Sequence, residues 1–275
     1  MPPIVAFAPC TELNGGPATA ADLRALALLN YGHFTSMQVR GRAVRGLDLH
    51  LDRLAQATRE LFGCELDRAC VRGWMRGILD RGAGEPGDAS MRVTVFARAF
   101  DRSRPERAVA PDVLVSVDPP RDPALSAVRV KSFRHQRALP HVKHVGTFDL
   151  MHHRRLARLA GCDDAVFVDA SGAISEGTIW NVGFLAGDDV VWPDAPALRG
   201  VSMQLLERGL GACAVPSRTR RVELAELPSF DGAFFANSAC AVAPIARIDE
   251  TPFRVDEARL ARLRACYERN AWQPL

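Results

Sequence analysis

The sequence predicts a mixed α/β (α+β) protein of two domains, and three observations carry that expectation. Segments with strand alternation, such as Tyr31–Arg40 and Met91–Phe96, are interspersed with segments of helical spacing, such as Leu47–Phe62. Short apolar runs bounded by turn residues, Asp164–Asp169 and Asn181–Leu185, read as buried strands. Between them the run Asp118-Pro119-Pro120-Arg121-Asp122-Pro123 stops both helix and strand. The expected division is a smaller N-terminal α/β domain over residues 1–118, a linker at 119–123, and a larger C-terminal domain over 124–275.

Composition narrows the function classes. The chain has 275 residues, 48% of them hydrophobic and 24% charged, enough for a sizeable core. A net charge of +3, with arginines scattered rather than blocked, argues against nucleic acid or an acidic membrane as the partner. There is no apolar run of membrane-spanning length, and no signal peptide is expected. Seven cysteines without a CxxC read as reduced thiols in a cytoplasmic protein, and no metal-ligand motif is present. No P-loop, GxGxxG or internal repeat is found.

Taken in order, Ile4–Leu28 reads as a short strand, a Gly15-Gly16-Pro17 break and a short helix from Ala20 or Ala21. Tyr31–Arg40 is a strand, Gly41 turns it, and Ala43-Val44 returns as the second strand of a ribbon. Leu47, Leu51, Leu54 and Leu61 mark one face of the helix Leu47–Phe62. A second helix is expected over Cys64–Asp80, a Gly/Pro-rich loop over Gly82–Asp88, and strands at Met91–Phe96 and Val113–Val117. Beyond the linker come a helix at Phe148–Leu159, the strand Asp164–Asp169, a tight Ala170-Ser171-Gly172 turn and the strand Asn181–Leu185. A strand ending at Trp192, a helix opened by Gly200-Val201-Ser202, strands near Thr219–Glu223, Gly232–Ala236 and Ile245–Ile248, and a last helix from Val255 to about Asn270 complete the chain.

One residue stands out chemically. Of 35 Lys plus Arg, only Lys131 and Lys143 are lysines. Arginine keeps its proton near neutral pH, whereas a lysine amine can lose it, and only the neutral amine attacks a carbonyl. Codon bias alone would explain the scarcity. The segment C-terminal to Lys143 adds weight to it: a helix, a strand, a D-x-x-G turn, then Ile174-Ser175-Glu176-Gly177 and Asn181.

That arrangement resembles the signature of the class IV aminotransferases, the pyridoxal-phosphate enzymes of fold type IV, which include branched-chain aminotransferase, D-amino-acid aminotransferase and aminodeoxychorismate lyase. The resemblance extends from about Tyr31 to Ile248. It implies a two-domain fold with a β-barrel-like sheet in the larger domain, pyridoxal 5'-phosphate between the domains, and a homodimer acting on a small-molecule amine and a keto acid. It assigns Lys143 to the Schiff base and to proton transfer, and Glu176, with Asn181 nearby, to the pyridine nitrogen, so that the ring is an electron sink. Arg53, in His50-Leu51-Asp52-Arg53-Leu54, would reach the phosphate with a guanidinium fork. Gly200, Val201 and Ser202 would present a helix N-terminus to the same phosphate, and Ser238-Ala239 would form its second element. Read without the resemblance, Arg53 is an exposed helix arginine, Ser202 an N-cap and Glu176 a turn carboxylate.

Departures from the family bear on substrate. Phe148 stands where the aminotransferase branch often has tyrosine, and Ser36-Met37 replaces a common Phe-Glu pair. Arg92 aligns with an arginine near the substrate carboxylate in some relatives, and a structural ion pair is an equal reading. Lys143-His144 is also found in the lyases. The expectation is therefore transamination of an amino acid or primary amine, with elimination from aminodeoxychorismate as the alternative. A non-catalytic fold relative is disfavoured by the intact lysine.

Overall fold

A computed structural model of the chain describes residues 10–82 and 87–275. The expected strand from Ile4 begins outside the described residues, as does the middle of the Gly82–Asp88 loop. The described chain forms two compact units: one of residues up to Arg121 with Val142–Gly146 and Trp272–Leu275, the other of Asp122–His141 and Thr147–Ala271.

The first unit contains β1 (Cys10–Leu13), β2 (Gly16–Pro17), α1 (Ala20–Leu29), β3 (Gly32–Val39), β4 (Ala43–Arg45), α2 (Leu47–Phe62), α3 (Arg68–Gly82), β5 (Ala89–Phe96) and β6 (Asp112–Asp118). Five strands form an antiparallel sheet in the order β2-β1-β6-β5-β3. Met37, Val39, Met91, Val93, Val95 and Val115 pack from this sheet against Leu54, Phe62, Val71, Met75 and Ile78 of α2 and α3. α1 starts where Thr19 and Asp22 form a reciprocal capping box. The second helix begins at Arg68 rather than Cys64, because the Asp67 carboxylate accepts from the amides of Ala69 and Cys70 and sets the helix start.

The expected ribbon starts as a hairpin and then parts. Gly41 and Arg42 both have positive φ, as a two-residue turn of the mirror type requires, and Arg40 and Ala43 exchange two backbone hydrogen bonds of 3.0 Å. Beyond that pair β4 leaves β3 and pairs with the C-terminal strand Trp272–Pro274. That last strand was not foreseen, since three residues carry too little pattern to show.

The second unit contains β7 (Val128–Arg134), α4 (Phe148–Leu159), β8 (Asp164–Val168), β9 (Ile174–Gly177), β10 (Asn181–Ala186), β11 (Asp189–Pro193), α5 (Val201–Ala212), β12 (Ser217–Arg220), β13 (Gly232–Ala236), β14 (Ala243–Ile248), β15 (Thr251–Pro252) and α6 (Glu257–Glu268). Its sheet runs β12-β11-β10-β13-β14-β7-β8-β9, with β15 on β14, and curls into a half-barrel that brings β9 back beside β10. Val130, Val166, Ile174, Val182, Phe184 and Ile245 fill one side of it. Leu206, Leu210, Leu260 and Leu263 of α5 and α6 cover Trp192 and Phe234 on another.

Two glycines of α5 separate packing from propensity. A Cβ on Gly209 would lie 2.0 Å from the Cys266 carbonyl oxygen on α6, whereas one on Gly211 would meet nothing within 4 Å. Overpacking costs about 1–3 kcal/mol and exceeds the roughly 1 kcal/mol by which alanine outranks glycine in a helix. Urea titration of Gly209→Ala is therefore expected to show a loss of stability. Gly211→Ala is expected to gain about 0.5–1 kcal/mol.

Candidate active site

In the first unit the backbone of Val142–Gly146 docks on the edge of β3. Phe34 N–H donates to the Lys143 carbonyl and Val145 N–H to that of Gly32, both at 2.9 Å, with His33 and His144 bridged between them. Lys143 thus stands opposite Phe34, and its Nζ lies 4.9 Å from the centroid of the Phe34 ring. The Arg92 guanidinium carbon lies 3.6 Å from the same ring, and Ser36 is the register partner of Arg92. Residues two apart on a strand share a face. Lys143, Ser36 and Arg92 are accordingly gathered around Phe34, a residue the sequence did not single out. Arg92 Nε donates to Thr94 Oγ1 at 3.1 Å, and burial lowers the pKa of its guanidinium.

The opposite face of β3 meets α2. Thr35 Oγ1 and His50 Nδ1 are 2.6 Å apart, and Thr58 Oγ1 lies 3.0 Å from His33 Nε2. Burial holds His50 well below the ordinary histidine range, and the positive charges of Arg53 and Lys143 add to the effect. His33 is pushed down to about 3 by burial alone. Both imidazoles are therefore neutral near pH 7 and act as hydrogen-bonded packing groups. Arg53 follows His50 by one turn of α2, half-buried. Desolvation lowers its guanidinium to about 10, which leaves it a full cation at neutral pH.

In the second unit the centre is the buried carboxylate of Glu176 on β9. Arg137, also buried, donates its Nε to Glu176 Oε1 at 2.9 Å, and Leu198 N–H donates to Oε2 at 3.1 Å. Arg137 also bonds the Pro140 carbonyl. The D-x-x-G turn before β9 is held by Asp169, whose Oδ1 accepts from the Ser171 amide and hydroxyl and from the Ala173 amide, with Gly172 at φ 87°.

The turn from Glu176 to Asn181 is held by a second buried carboxylate. Asp164 accepts from Thr178 Oγ1 at 2.6 Å and from Trp180 Nε1 at 3.1 Å. Gly177 lies under the Trp180 ring, where a Cβ would come within 2.0 Å of ring carbon. Asn181 then clamps the next segment: its Nδ2 donates to the Leu198 carbonyl at 2.7 Å, and its Oδ1 accepts from Gly200 N–H at 3.1 Å. A Cβ on Gly200 would lie 2.1 Å from that Oδ1, so glycine is required there by close approach.

Gly200 is the N-cap of α5, whose first turn has no side-chain cap and opens with Val201 and the buried Ser202. Asn237 Oδ1 accepts from the amides of Ala239 and Cys240, which leaves Ser238 exposed at the apex of a turn. Phe148 heads α4, is exposed, and stacks on His152 at 5.9 Å between centroids.

The donor set suits pyridoxal phosphate. Glu176 presents a buried carboxylate whose oxygens can accept from a protonated ring nitrogen, and amides at the start of a helix suit a phosphate. Arg137 and Asp164 were missed by sequence reasoning. Arg137 is one arginine among 33, and Asp164 read only as the first residue of a strand. Among the described residues, no group of three or more His, Cys, Asp or Glu is placed to hold a metal ion. No helix there is long and apolar enough to cross a membrane.

The half-barrel sheet is that of a known class of enzyme, and comparison with known proteins names it. The model of the amino-transferase class IV family matches residues 32–248, and the chain belongs to that family of pyridoxal-phosphate enzymes. Aminodeoxychorismate lyase of Bacillus subtilis (strain 168) is 26% identical over 222 residues, 75% of this chain and 74% of that protein. The branched-chain aminotransferase from Thermoproteus uzoniensis, solved with norvaline, superposes with a TM-score of 0.82 at 18% identity, over 95% of this chain and 94% of that one. A hypothetical aminotransferase from Mycobacterium tuberculosis in its PLP-bound form gives 0.76 at 20% identity, over 95% and 98%. The fold is thus that of the fold type IV enzymes.

The Arg137–Glu176 pair can be tested apart from catalysis. Breaking a buried ion pair by removing one partner costs about 3–5 kcal/mol, whereas replacing both with apolar groups is often neutral. Arg137→Ala is expected to lower unfolding stability by about that amount, and Arg137→Leu with Glu176→Leu to recover most of it. Chemical denaturation of the three proteins checks this.

Proposed function

We propose that the chain is a pyridoxal-phosphate-dependent aminotransferase that moves an amino group between an amino acid or primary amine and a keto acid. The observation that supports it best is Glu176: a buried carboxylate fixed by Arg137 and Leu198 N–H, in a chain whose family uses this cofactor. When bound, the cofactor supplies a protonated ring that takes up the charge left at a carbon losing its proton. Lys143 Nζ would hold its aldehyde carbon covalently and, as the free amine, carry the transferred proton. Glu176, with Asn181 bracing the adjoining loop, would accept from the ring nitrogen. Arg53, the Val201 and Ser202 amides after Gly200, and the Ser238-Ala239 turn would hold the phosphate. Arg92 and Ser36 would face the substrate, with Phe148 assigned there only by its alignment with the family tyrosine. The reading includes a homodimer and a cytoplasmic home; seven free cysteines fit the latter.

Elimination from aminodeoxychorismate is the second reading, favoured by the 26% identical lyase relative and by His144 directly after the lysine. Purified protein mixed with a panel of amines, keto acids and aminodeoxychorismate separates the two. Amino transfer that requires a keto acid supports the first reading. Pyruvate and aminobenzoate formed without an acceptor support the second.

Borohydride reduction of cofactor-loaded protein, followed by peptide mapping, is expected to place the label on Lys143. A label on Lys131, or no binding of pyridoxal phosphate at saturation, would sink the assignment. Arg53→Lys replaces a bidentate fork by a point charge and is expected to weaken cofactor binding roughly ten- to a hundredfold. The same exchange at Arg76, exposed on α3, should leave the affinity unchanged in a fluorescence titration.

A further inference from the structure

The fold brings two cysteines together from distant points of the chain. Asn270, just beyond α6, donates its Nδ2 to the Leu205 carbonyl at 2.8 Å. One turn further along α5, a Cβ on Gly209 would lie 2.0 Å from the Cys266 carbonyl oxygen. Residue numbers thus rise along α5 as they fall along α6, and the two helices run antiparallel. Glycine at 209 lets the backbones touch. Cys213 follows it by one turn, its amide donating to the Gly209 carbonyl at 3.0 Å. The Cα–Cβ bonds of a helix lean toward its own N-terminus. In this antiparallel pair Cys213 leans back toward the level of Cys266, and Cys266 leans toward the level of Cys213. The side chains converge, as a disulfide requires of its Cβ atoms, and both belong to one apolar cluster.

The two thiols are free and differ in access. Cys266 is buried, whereas Cys213 is half-buried between exposed Ala212 and Ala214. Burial, and after it the adjoining Cys213 thiol, pushes the Cys266 thiol up to about 11, against the pull of Arg262 and Arg269. Only a thiolate attacks a disulfide. Cys213 is therefore the thiol that a reagent meets first, and Cys266 waits behind it. Once Cys213 is bonded to another sulfur it is no longer a thiol, and that part of the hold on the Cys266 proton is released.

We propose that Cys213 and Cys266 are a reversible disulfide site that ties α5 to α6, with a low-molecular-weight disulfide such as glutathione disulfide as the oxidant. The Cys213 thiolate attacks one sulfur of the glutathione disulfide and forms an S–S bond to it. One glutathione leaves as thiolate and takes up the proton that Cys213 gave. The Cys266 thiolate then attacks the Cys213 sulfur, and the second glutathione leaves with the electron pair of the broken bond and takes the Cys266 proton. The protein thiols lose two electrons and two protons, and the glutathione disulfide gains them as two thiols. The closed loop from 213 to 266 constrains the unfolded chain, so the oxidised form is the more stable. This inference stands on α5 and α6 alone and does not depend on the reaction proposed above.

Full-length protein is incubated with glutathione disulfide under native conditions and mapped without reduction. The map is expected to link the Cys213 peptide to the Cys266 peptide. The oxidised protein should melt roughly 5 °C or more above the reduced one, and dithiothreitol should reverse both changes. In Cys266→Ala glutathione should stay on Cys213, because nothing displaces it. In Cys213→Ala the Cys266 thiol should remain unmodified. Should either variant fail to fold, acid quenching of the wild-type reaction carries the same test: the glutathione adduct on Cys213 should appear before the linked peptide. Glutathione retained on Cys213 of the wild type overturns the proposal, as do two untouched thiols or linkage to other cysteines instead. An oxidised form that melts no higher than the reduced one overturns it as well.

Discussion

A carboxylate taken out of water has to be met by donors, and the site-bearing half of the second unit is arranged around that requirement. Glu176 is met by Arg137 and by the Leu198 amide. Arg137 arrives from the segment after β7, and Leu198 from the loop that leads into α5, so one side chain fixes two separate stretches of backbone. Asp164 repeats the device on the neighbouring strand by holding Thr178 and Trp180. The turn it fixes delivers Asn181, and Asn181 grips Leu198 and Gly200. The start of α5 is therefore placed by a relay that begins with two buried acids. Each link is a hydrogen bond in a low-dielectric setting, where leaving one partner unmet costs far more than the bond itself gains.

Lys143 is placed by a different kind of constraint. Its backbone is a partner of the β3 edge, and sheet pairing fixes side-chain direction through the pleat. Because His33 and His144 are bridged, Lys143 must fall opposite Phe34. A slip of one residue would turn the amine to the face where Thr35 and His50 are packed. The neutral, buried pair of Thr35 and His50 thus backs the strand that positions the amine.

Much of this was legible in the sequence because it is local. Helices α2 and α4 end where their apolar spacing ends. The D-x-x-G turn was readable because Asp169 bonds within four residues of itself. Glu176, Asn181 and Gly200 were singled out by the family resemblance, and the structure adds a local contact between two of them: the room a glycine leaves at 200 is filled by the Asn181 amide oxygen. What stayed hidden depends on partners far along the chain. Arg137 reaches Glu176 across 39 positions, and nothing distinguishes it from neighbouring arginines until both are seen buried. The β4 strand finds its partner at Trp272–Pro274, a pairing that no periodicity within either segment encodes. Phe34 looked like one more apolar strand residue, and its contact with both Arg92 and Lys143 is a property of the register.

The scarcity of lysine acquires a physical meaning once the two lysines are compared. Lys131 Nζ lies 3.4 Å from the Asp249 carboxylate, which also accepts from the Ser132 amide at 3.0 Å. A fixed positive charge is all that contact requires, and an arginine would supply it. The same chain meets carboxylates with arginine elsewhere, as Arg81 does with both oxygens of Glu12 and Arg59 with both of Glu65. Such forks are geometrically superior to an ammonium at a carboxylate. Lys143 is set against the ring of Phe34 at a sheet edge, where its backbone fixes the direction of the side chain. A guanidinium there could not give up its proton near neutral pH, so an arginine could reproduce the charge of Lys143 but not an amine that bonds a carbonyl carbon. An arginine at position 131 would keep its contact, whereas one at position 143 would lose the proposed chemistry.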